Sequence, residues 1–373
     1  MTITIVIGGQ FGGEGKGKIT AHLCRNQLYD IAVRCGGPNS GHNINLENGE
    51  QYGLRMIPSG VAANHTKLFL AAGCLIDLEI LSKEVQDLNI DKKRILIDRN
   101  AVIMRDYYSN LESSNKLEER IGSTCTGTGI AVAKRVLRDK DIIIAKNCKM
   151  LKKRGYLTAN ISDMVINASK NKKRIVIEGT QGFGLSVYHS PYYPYTTSRD
   201  TTAAGFISEI GLSPFHIKDI IMVMRTYPIR TRGNSGPLPL EILPQETAWK
   251  DIQKESGYPY EIKELGTVTK IQRRVAKFDF DIVKRAFEVN APTVLALMGI
   301  DYLEYENKGL TKYRELTPKA IKFIKKIESE LKKEIRYIGI GPSDYEIIDR
   351  LRANESEKTR IRERETEKNT ICI

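Results

Sequence analysis

The run Gly8-Gly9-Gln10-Phe11-Gly12-Gly13-Glu14-Gly15-Lys16-Gly17-Lys18 gathers residue types that handle phosphate. Glycines let backbone N–H groups approach an anion, and a helix N-terminus adds partial positive charge. From Gly12 to Lys18 the spacing is G-x-x-x-x-G-K, almost a P-loop, but Ile19 stands where Ser or Thr should hold magnesium. A merely flexible glycine loop would not need two lysines interleaved with its glycines. Three more glycine-rich stretches carry polar side chains: Gly36-Gly37-Pro38-Asn39-Ser40-Gly41-His42-Asn43, the loop 121–129 with Ser123, Thr124 and Cys125, and Gly179-Thr180-Gln181-Gly182-Phe183-Gly184. Cys125, inside its loop, is a further candidate for function.

Such loops need rigid elements behind them. Ile3-Thr4-Ile5-Val6-Ile7 is a buried first strand, and a helix starts at Ile19. Strands are expected over 31–35, 67–72 (closed by Gly73), 94–98, 174–178, 219–226 and 293–298, the last ending near Asp301. Helices are expected over 76–88 and 130–138. Strands alternate with helices, and glycine turns follow strands. The fold class is therefore α/β, a mostly parallel central sheet flanked by helices, with ligands at its C-terminal edge. Residues 1–349 are expected to form a single large α/β unit, and 350–373 a charged C-terminal tail, a solvated helix or a loose segment.

The chain has 373 residues, 41% hydrophobic and 28% charged, within the range of soluble globular proteins. No run is long and apolar enough to span a membrane, and the first residues enter a strand without a secretory or transit pattern. Six cysteines without C-x-x-C spacing fit reduced thiols and a cytoplasmic location better than disulfides or a zinc site. The net charge of +13 suits either nucleic acid or anionic small substrates. Lysines and arginines are spread along the chain, with no zinc-finger spacing or basic-aromatic alternation. That favours small anionic substrates, with no nucleic-acid or membrane partner expected.

Taken together in order, the loops resemble the adenylosuccinate synthetase family from residue 3 to about 349, and its short archaeal members most. The family loop reads Gly-x-Gln-Trp-Gly-Asp-Glu-Gly-Lys-Gly-Lys; here Phe11 and Gly13 replace the tryptophan and the aspartate. The resemblance implies a ligase that phosphorylates O6 of a purine monophosphate and then lets aspartate displace the phosphate at C6. It implies Mg2+, touched by the Gly41 carbonyl, and a homodimer. It makes His42 a stabiliser of the moving phosphoryl group, with Lys16 and Gln181 beside it as catalytic residues. Donor nucleotide contacts would come from Gly12, Gly13, Glu14, Gly15, Lys16, Gly17, Lys18, Gly41, His42, Arg273, Asp301, Gly339, Gly341 and Pro342. Purine monophosphate contacts would come from Gly13, Asn39, Ser123, Thr124, Gln181, Thr197 and, lent across the dimer, Arg138. Aspartate would meet Thr267, Val268, Thr269 and Arg273.

The departures share a direction. The family aspartate that takes the purine N1 proton and binds magnesium is Gly13. The first arginine of the family's Arg-Arg-Arg-Arg run, which touches the ribose 2′-hydroxyl, is Ile271, and the donor-base motifs have become Gly299-Ile300-Asp301 and Gly339-Ile340-Gly341-Pro342. Losing a polar reader shifts discrimination by orders of magnitude. Removing a carboxylate beside N1 and C2 is expected to leave room for a 2-amino group. The pattern resembles the viral 2-aminoadenylosuccinate synthetase branch, which joins aspartate to dGMP with ATP, in 2-aminoadenine synthesis for phage DNA. GTP remains open as donor. The alternatives are an ordinary synthetase acting on IMP with GTP, and a non-catalytic nucleotide-binding descendant.

Overall fold

The structure is a computed structural model and describes residues 2–46, 49–231, 233–237 and 246–351. Nearly all of the expected charged tail, from 352 onward, lies outside the described residues. Ten strands form the main sheet: β1 (Ile3–Gly8), β2 (Ile31–Arg34), β3 (Lys67–Leu70), β4 (Ile95–Asp98), β5 (Leu157–Ala159), β6 (Ile175–Glu178), β7 (Ile217–Arg225), β8 (Val294–Met298), β9 (Ile335–Gly339) and β10 (Ile347–Asp349). Their order is β5-β4-β3-β2-β6-β1-β7-β8-β9-β10. Every pairing is parallel except that of β9 with β10. The sheet is the mostly parallel one that the strand-helix alternation predicts.

Beta-branched residues fill β1, and all six of its residues are buried. Its alternation assigns the two faces. Ile3, Ile5 and Ile7 pack in one cluster with Phe206 and Ile210, from the helix Ala203–Ile210. Val6 packs in another with Ile19 and Leu23 of helix α1 (Lys16–Gln27). Helices thus cover both faces, and the polar loops are left to the strand ends. Helix α1 starts three residues before Ile19, because Gly15 is its N-cap in the left-handed region at φ 100°. A Cβ there would also lie 3.0 Å from Met298 Cγ, so glycine serves both the turn and the packing.

Candidate active site

Loops after β1, β2 and β6 meet the segments 123–129, 195–198, 229–231 and 266–273 around a cavity of about 220 Å³. Of the residues predicted from sequence, Gly12, Gly13, Lys16, Asn39, Gly41, His42, Ser123, Thr124, Gln181, Thr197, Thr267, Val268, Thr269 and Arg273 all line it. Gln181 takes a positive φ of 62° to present its side chain there, and Asn43 Oδ1 accepts from Thr267 Oγ1 at 3.2 Å, tying the second loop to the 266–269 segment.

The glycine loop folds around a carboxylate of its own. Glu14 is buried, and its Oε1 accepts from the N–H groups of Gln10 at 3.2 Å and Gly12 at 2.8 Å. Its Oε2 pairs with Lys16 Nζ at 2.6 Å. Glu14 and the Gly12 N–H therefore hold the loop in shape here, where donor phosphate contacts were expected. The loop is pinned to β7 by Gln10, whose side chain bonds both backbone groups of Arg225, and by the Arg225 guanidinium, which donates to the Gly13 carbonyl at 3.2 Å.

His42 opens a hairpin, His42–Asn45 with Gln51–Leu54, and is 8% exposed. Its Nδ1 lies 2.6 Å from Oε1 of Glu178, the last residue of β6. Glu178 is fully buried, accepts the Ser59 N–H at 2.8 Å, and faces Arg34, the last residue of β2, at 3.6 Å. The register pairs Glu178 with Arg34 across neighbouring strands. Burial would raise the Glu178 carboxyl, but His42, Arg34 and the Ser59 hydroxyl outweigh it and hold it down at about 2. Burial pushes the His42 imidazole below 6.5 against the pull of Glu178. The resting site thus holds a neutral imidazole with its Nδ1 proton on an ionised carboxylate, which fixes the tautomer and leaves Nε2 for the cavity. Gly17 makes this possible: a Cβ there would lie 2.6 Å from His42 Cβ.

Glu178 and Arg34 were missed as functional residues. Their signal was present: each is the one charged residue ending an otherwise apolar buried strand, next to a glycine turn. Glu112 was missed too. It is 2% exposed, lines the cavity, and accepts from Gly127 N–H at 2.8 Å and Gly129 N–H at 2.7 Å. It thereby holds the loop before the helix Thr128–Val136, along which the Thr124, Thr126 and Thr128 hydroxyls stand in succession.

Several expected site residues lie elsewhere. Lys18 points away from the cavity and donates to the carbonyls of Gly341 at 2.5 Å and Glu346 at 3.1 Å. Its role is to tie α1 to the loop after β9; burial pulls its ammonium down to about 8 against Asp301, Glu346 and Asp344. Asp301 is buried, and its Oδ2 accepts the Tyr258 hydroxyl. Gly339, Gly341 and Pro342 sit with it beyond the cavity lining, as do Gly15, Gly17 and Cys125. Arg138 is exposed just past its helix and does not reach this cavity. Ile271 is 41% exposed and offers no polar group.

The room expected beside Gly13 is filled. A Cβ on Gly13 would lie 2.6 Å from Ile229 Cδ1 and 2.7 Å from Arg273 Nη1. Among the described residues, no group of three or more His, Cys, Asp or Glu side chains could hold a metal ion. With no carboxylate at 13, these residues do not make a magnesium site by themselves, since Mg2+ ordinarily takes one or two carboxylates beside substrate phosphates.

A parallel α/β sheet with phosphate-type loops converging on one edge defines the class: a nucleotide-handling α/β protein. A sequence profile of adenylosuccinate synthetase matches residues 5–153 and 139–308. The adenylosuccinate synthetases of Methanococcus aeolicus and Methanocaldococcus jannaschii are each 38% identical over 354 residues, covering 94% of this chain and 99% and 97% of theirs. The chain belongs to the adenylosuccinate synthetase family, whose members are ligases. In fold it is similar to fully ligated adenylosuccinate synthetase from Plasmodium falciparum, with a TM-score of 0.79 at 22% identity over 94% of this chain and 100% of the other. It is also similar in fold to the succinoaminodeoxyadenylate synthetase of cyanophage S-2L bound to dGMP and dATP, with a TM-score of 0.77 at 24% identity over 93% and 95%. Among the described residues no helix is long and apolar enough to cross a membrane.

Proposed function

We propose that the chain joins L-aspartate to C6 of dGMP through a 6-phosphoryl intermediate, giving 2-amino-2′-deoxyadenylosuccinate, with ATP as donor and Mg2+ brought largely by the donor phosphates. The observation that carries this reading is the absence of a carboxylate at position 13. A carboxylate there would accept from both N1–H and the 2-amino group of guanine. Such a bidentate pair stabilises the unreacted base, and binding the ground state does not speed the chemical step. In this reading Gln181 orients O6, Lys16 leaves Glu14 for the donor phosphates, and Nε2 of His42 meets the transferring phosphoryl group. The Thr267–Thr269 segment and Arg273 place aspartate's carboxylates, and Ser123, Thr124 and Thr197 bind the 5′-phosphate. A homodimer would bring Arg138 of one subunit to the other's site.

A second reading has its own support. The relatives at 38% identity are adenylosuccinate synthetases, and Ile229 beside Gly13 gives an apolar wall that suits the C2 hydrogen of IMP better than an amine. Purified protein assayed with dGMP and with IMP, each with aspartate and ATP or GTP, decides between them. The expected outcome is aspartate-dependent phosphate release with dGMP in clear preference to IMP. Preference for IMP establishes the second reading, and no aspartate-dependent release with either leaves a nucleotide-binding descendant.

A further inference from the structure

A buried carboxylate outside the cavity is linked to three parts of its wall. Glu84, 3% exposed, lies on the buried face of the helix Leu78–Asp87 with Leu81 and Val85. It accepts three consecutive backbone N–H groups: those of Arg55 and Met56 on Oε1, the second at 3.1 Å, and that of Ile57 on Oε2 at 2.8 Å. Successive N–H groups turned to one side form a concavity that binds an anion, and here the anion is a side chain from another element. Neither Glu84 nor the three residues it holds line the cavity. The bend they make joins the strand Gln51–Leu54 to the helical turn Ser59–Ala62, and cavity residues hang from it on each side. Leu54 pairs with His42 in the hairpin. Arg55 Nε donates to the Pro38 carbonyl at 2.8 Å, and Asn39, Ser40 and Gly41, next along the chain, line the cavity. Ser59 gives its N–H to Glu178, the partner of His42. The charge of Arg34, which helps to hold the Glu178 carboxyl down, also pulls on Glu84 against the burial that raises it.

We infer that Glu84 is a positioning residue for the phosphoryl-transfer step: by fixing the bend 55–57 it sets where His42 stands relative to the 39–41 wall. This rests on the reading of His42 as the group that meets the transferring phosphoryl, and it holds for dGMP and IMP alike. Without the carboxylate, three N–H groups lose their acceptor in a place away from water, which is costly enough to make the backbone seek other partners. Leu54 and Pro38 are drawn along with the bend, and His42 and Asn39 with them. The same helix holds the hairpin at a second point, where Asp87 Oδ2 accepts the Tyr52 hydroxyl at 2.7 Å. That bond touches neither the bend nor Pro38 nor Ser59. Removing it loosens the hairpin from the helix while leaving the Glu84 clamp whole, which separates positioning from mere support.

The test compares Glu84→Gln and Tyr52→Phe with the parent in two ways. One is steady-state kinetics with whichever of dGMP or IMP the parent turns over. The other is the nuclear magnetic resonance signals of the His42 ring in the full-length protein. A misplacement of about 1 Å at reacting groups costs about 100-fold in rate. Glutamine keeps the shape and one acceptor, so folded Glu84→Gln is expected to lose about tenfold or more in kcat, more than any KM rises, and to shift the His42 ring signals. Tyr52→Phe should leave both at the parent's values. Unchanged kcat or unchanged His42 signals in Glu84→Gln overturn the inference, as does Tyr52→Phe producing the same changes. If Glu84→Gln does not fold, Glu84→Asp, which keeps the charge but draws it back by one methylene, carries the same comparison. If the parent turns over neither purine, the proposed reaction fails, and the His42 signals still decide whether Glu84 positions that ring.

Discussion

The charge pair that ends β2 and β6 shows how one residue sets the chemistry of another. Glu178 fixes which His42 nitrogen carries the proton, and Arg34 and Ser59 keep Glu178 ionised. Replacing Glu178 with Gln leaves Arg34 buried without its acid, a change that costs about 3–5 kcal/mol. It also frees the imidazole to turn. Glu178→Gln is expected to lower the urea midpoint and to lower kcat more than it raises any KM. Unchanged kcat in the folded variant would show that the His42 tautomer does not matter. Gly13 tests the opposite wall. Its φ of +68° lies in the left-handed region, which strains a side chain even though aspartate enters it more readily than most, and the new Cβ would press on Ile229 Cδ1. Overpacking of this kind costs about 1–3 kcal/mol. Gly13→Asp should lose that much stability and weaken dGMP use; dGMP kinetics equal to the parent's would contradict the reading that rests on the missing carboxylate.

Loops here are held by buried carboxylates rather than by glycine alone: Glu14 inside the first loop, Glu178 behind the second, Glu112 behind the third. Glu112 accepts the Gly127 and Gly129 N–H groups at the start of the helix Thr128–Val136, so in the proposed reading the threonine hydroxyls beside them, rather than those two donors, would meet a substrate phosphate. Glu112→Gln turns one acceptor into a donor facing a donor. Hydrogen bonds to a charged group contribute about 1.5–3 kcal/mol, so a loss within that range is expected, with a raised KM for the purine monophosphate and little change in kcat. Calorimetry and steady-state kinetics check both. The sequence made the central strands legible because they are built on apolar runs, and β1, β6 and β8 run straight into glycine. It did not reveal β5, β9 and β10, which lie toward the sheet edges: β5 and β10 have three residues each, and β9 and β10 carry a charge among their apolar residues, as in Ile335-Arg336-Tyr337-Ile338-Gly339. The cavity residues were legible for the same reason as the central strands, since they sit in glycine turns. Of the carboxylates behind them, Glu112 was hidden because a glutamate inside a helix has the pattern of an ordinary surface charge, whereas Glu178 stood out as the one charge ending a buried apolar strand.

Across the whole molecule, the C-terminal edge of the sheet divides in two. One half is the cavity around β1, β2 and β6; the other, at β8 and β9, is closed by Lys18, Asp301, Tyr258 and the loop after β9. Lys18 was expected among the donor-nucleotide contacts, and only the fold shows that its side chain runs the other way, from the first helix to a segment more than three hundred residues along the chain. That placement ties stability to pH. Lys18 has a folded pKa of about 8 against an ordinary 10.5, because burial disfavours its charge more than its acidic neighbours restore it. Below pH 8 both the folded and unfolded chains carry the proton, and the folded state bears the full cost of burying it. Between about 8 and 10.5 the unfolded chain still holds the proton while the folded chain has released it, so stability rises with pH through that window. At about 1.4 kcal/mol per pKa unit the full gain is about 3 kcal/mol. The buried thiols of Cys24, Cys35 and Cys74, all pushed above their ordinary 9.0 by burial, act the other way from about pH 9, and tyrosines such as Tyr337, pushed up to about 12, only above about 10. The Lys18 contribution is therefore read as a difference: between about pH 7.5 and pH 9.5 the urea midpoint of the parent should rise relative to that of Lys18→Met, in which the thiol and tyrosine effects are the same. An equal slope in both proteins would mean that the buried ammonium keeps its proton and that Gly341 and Glu346 hold it as a permanent charge.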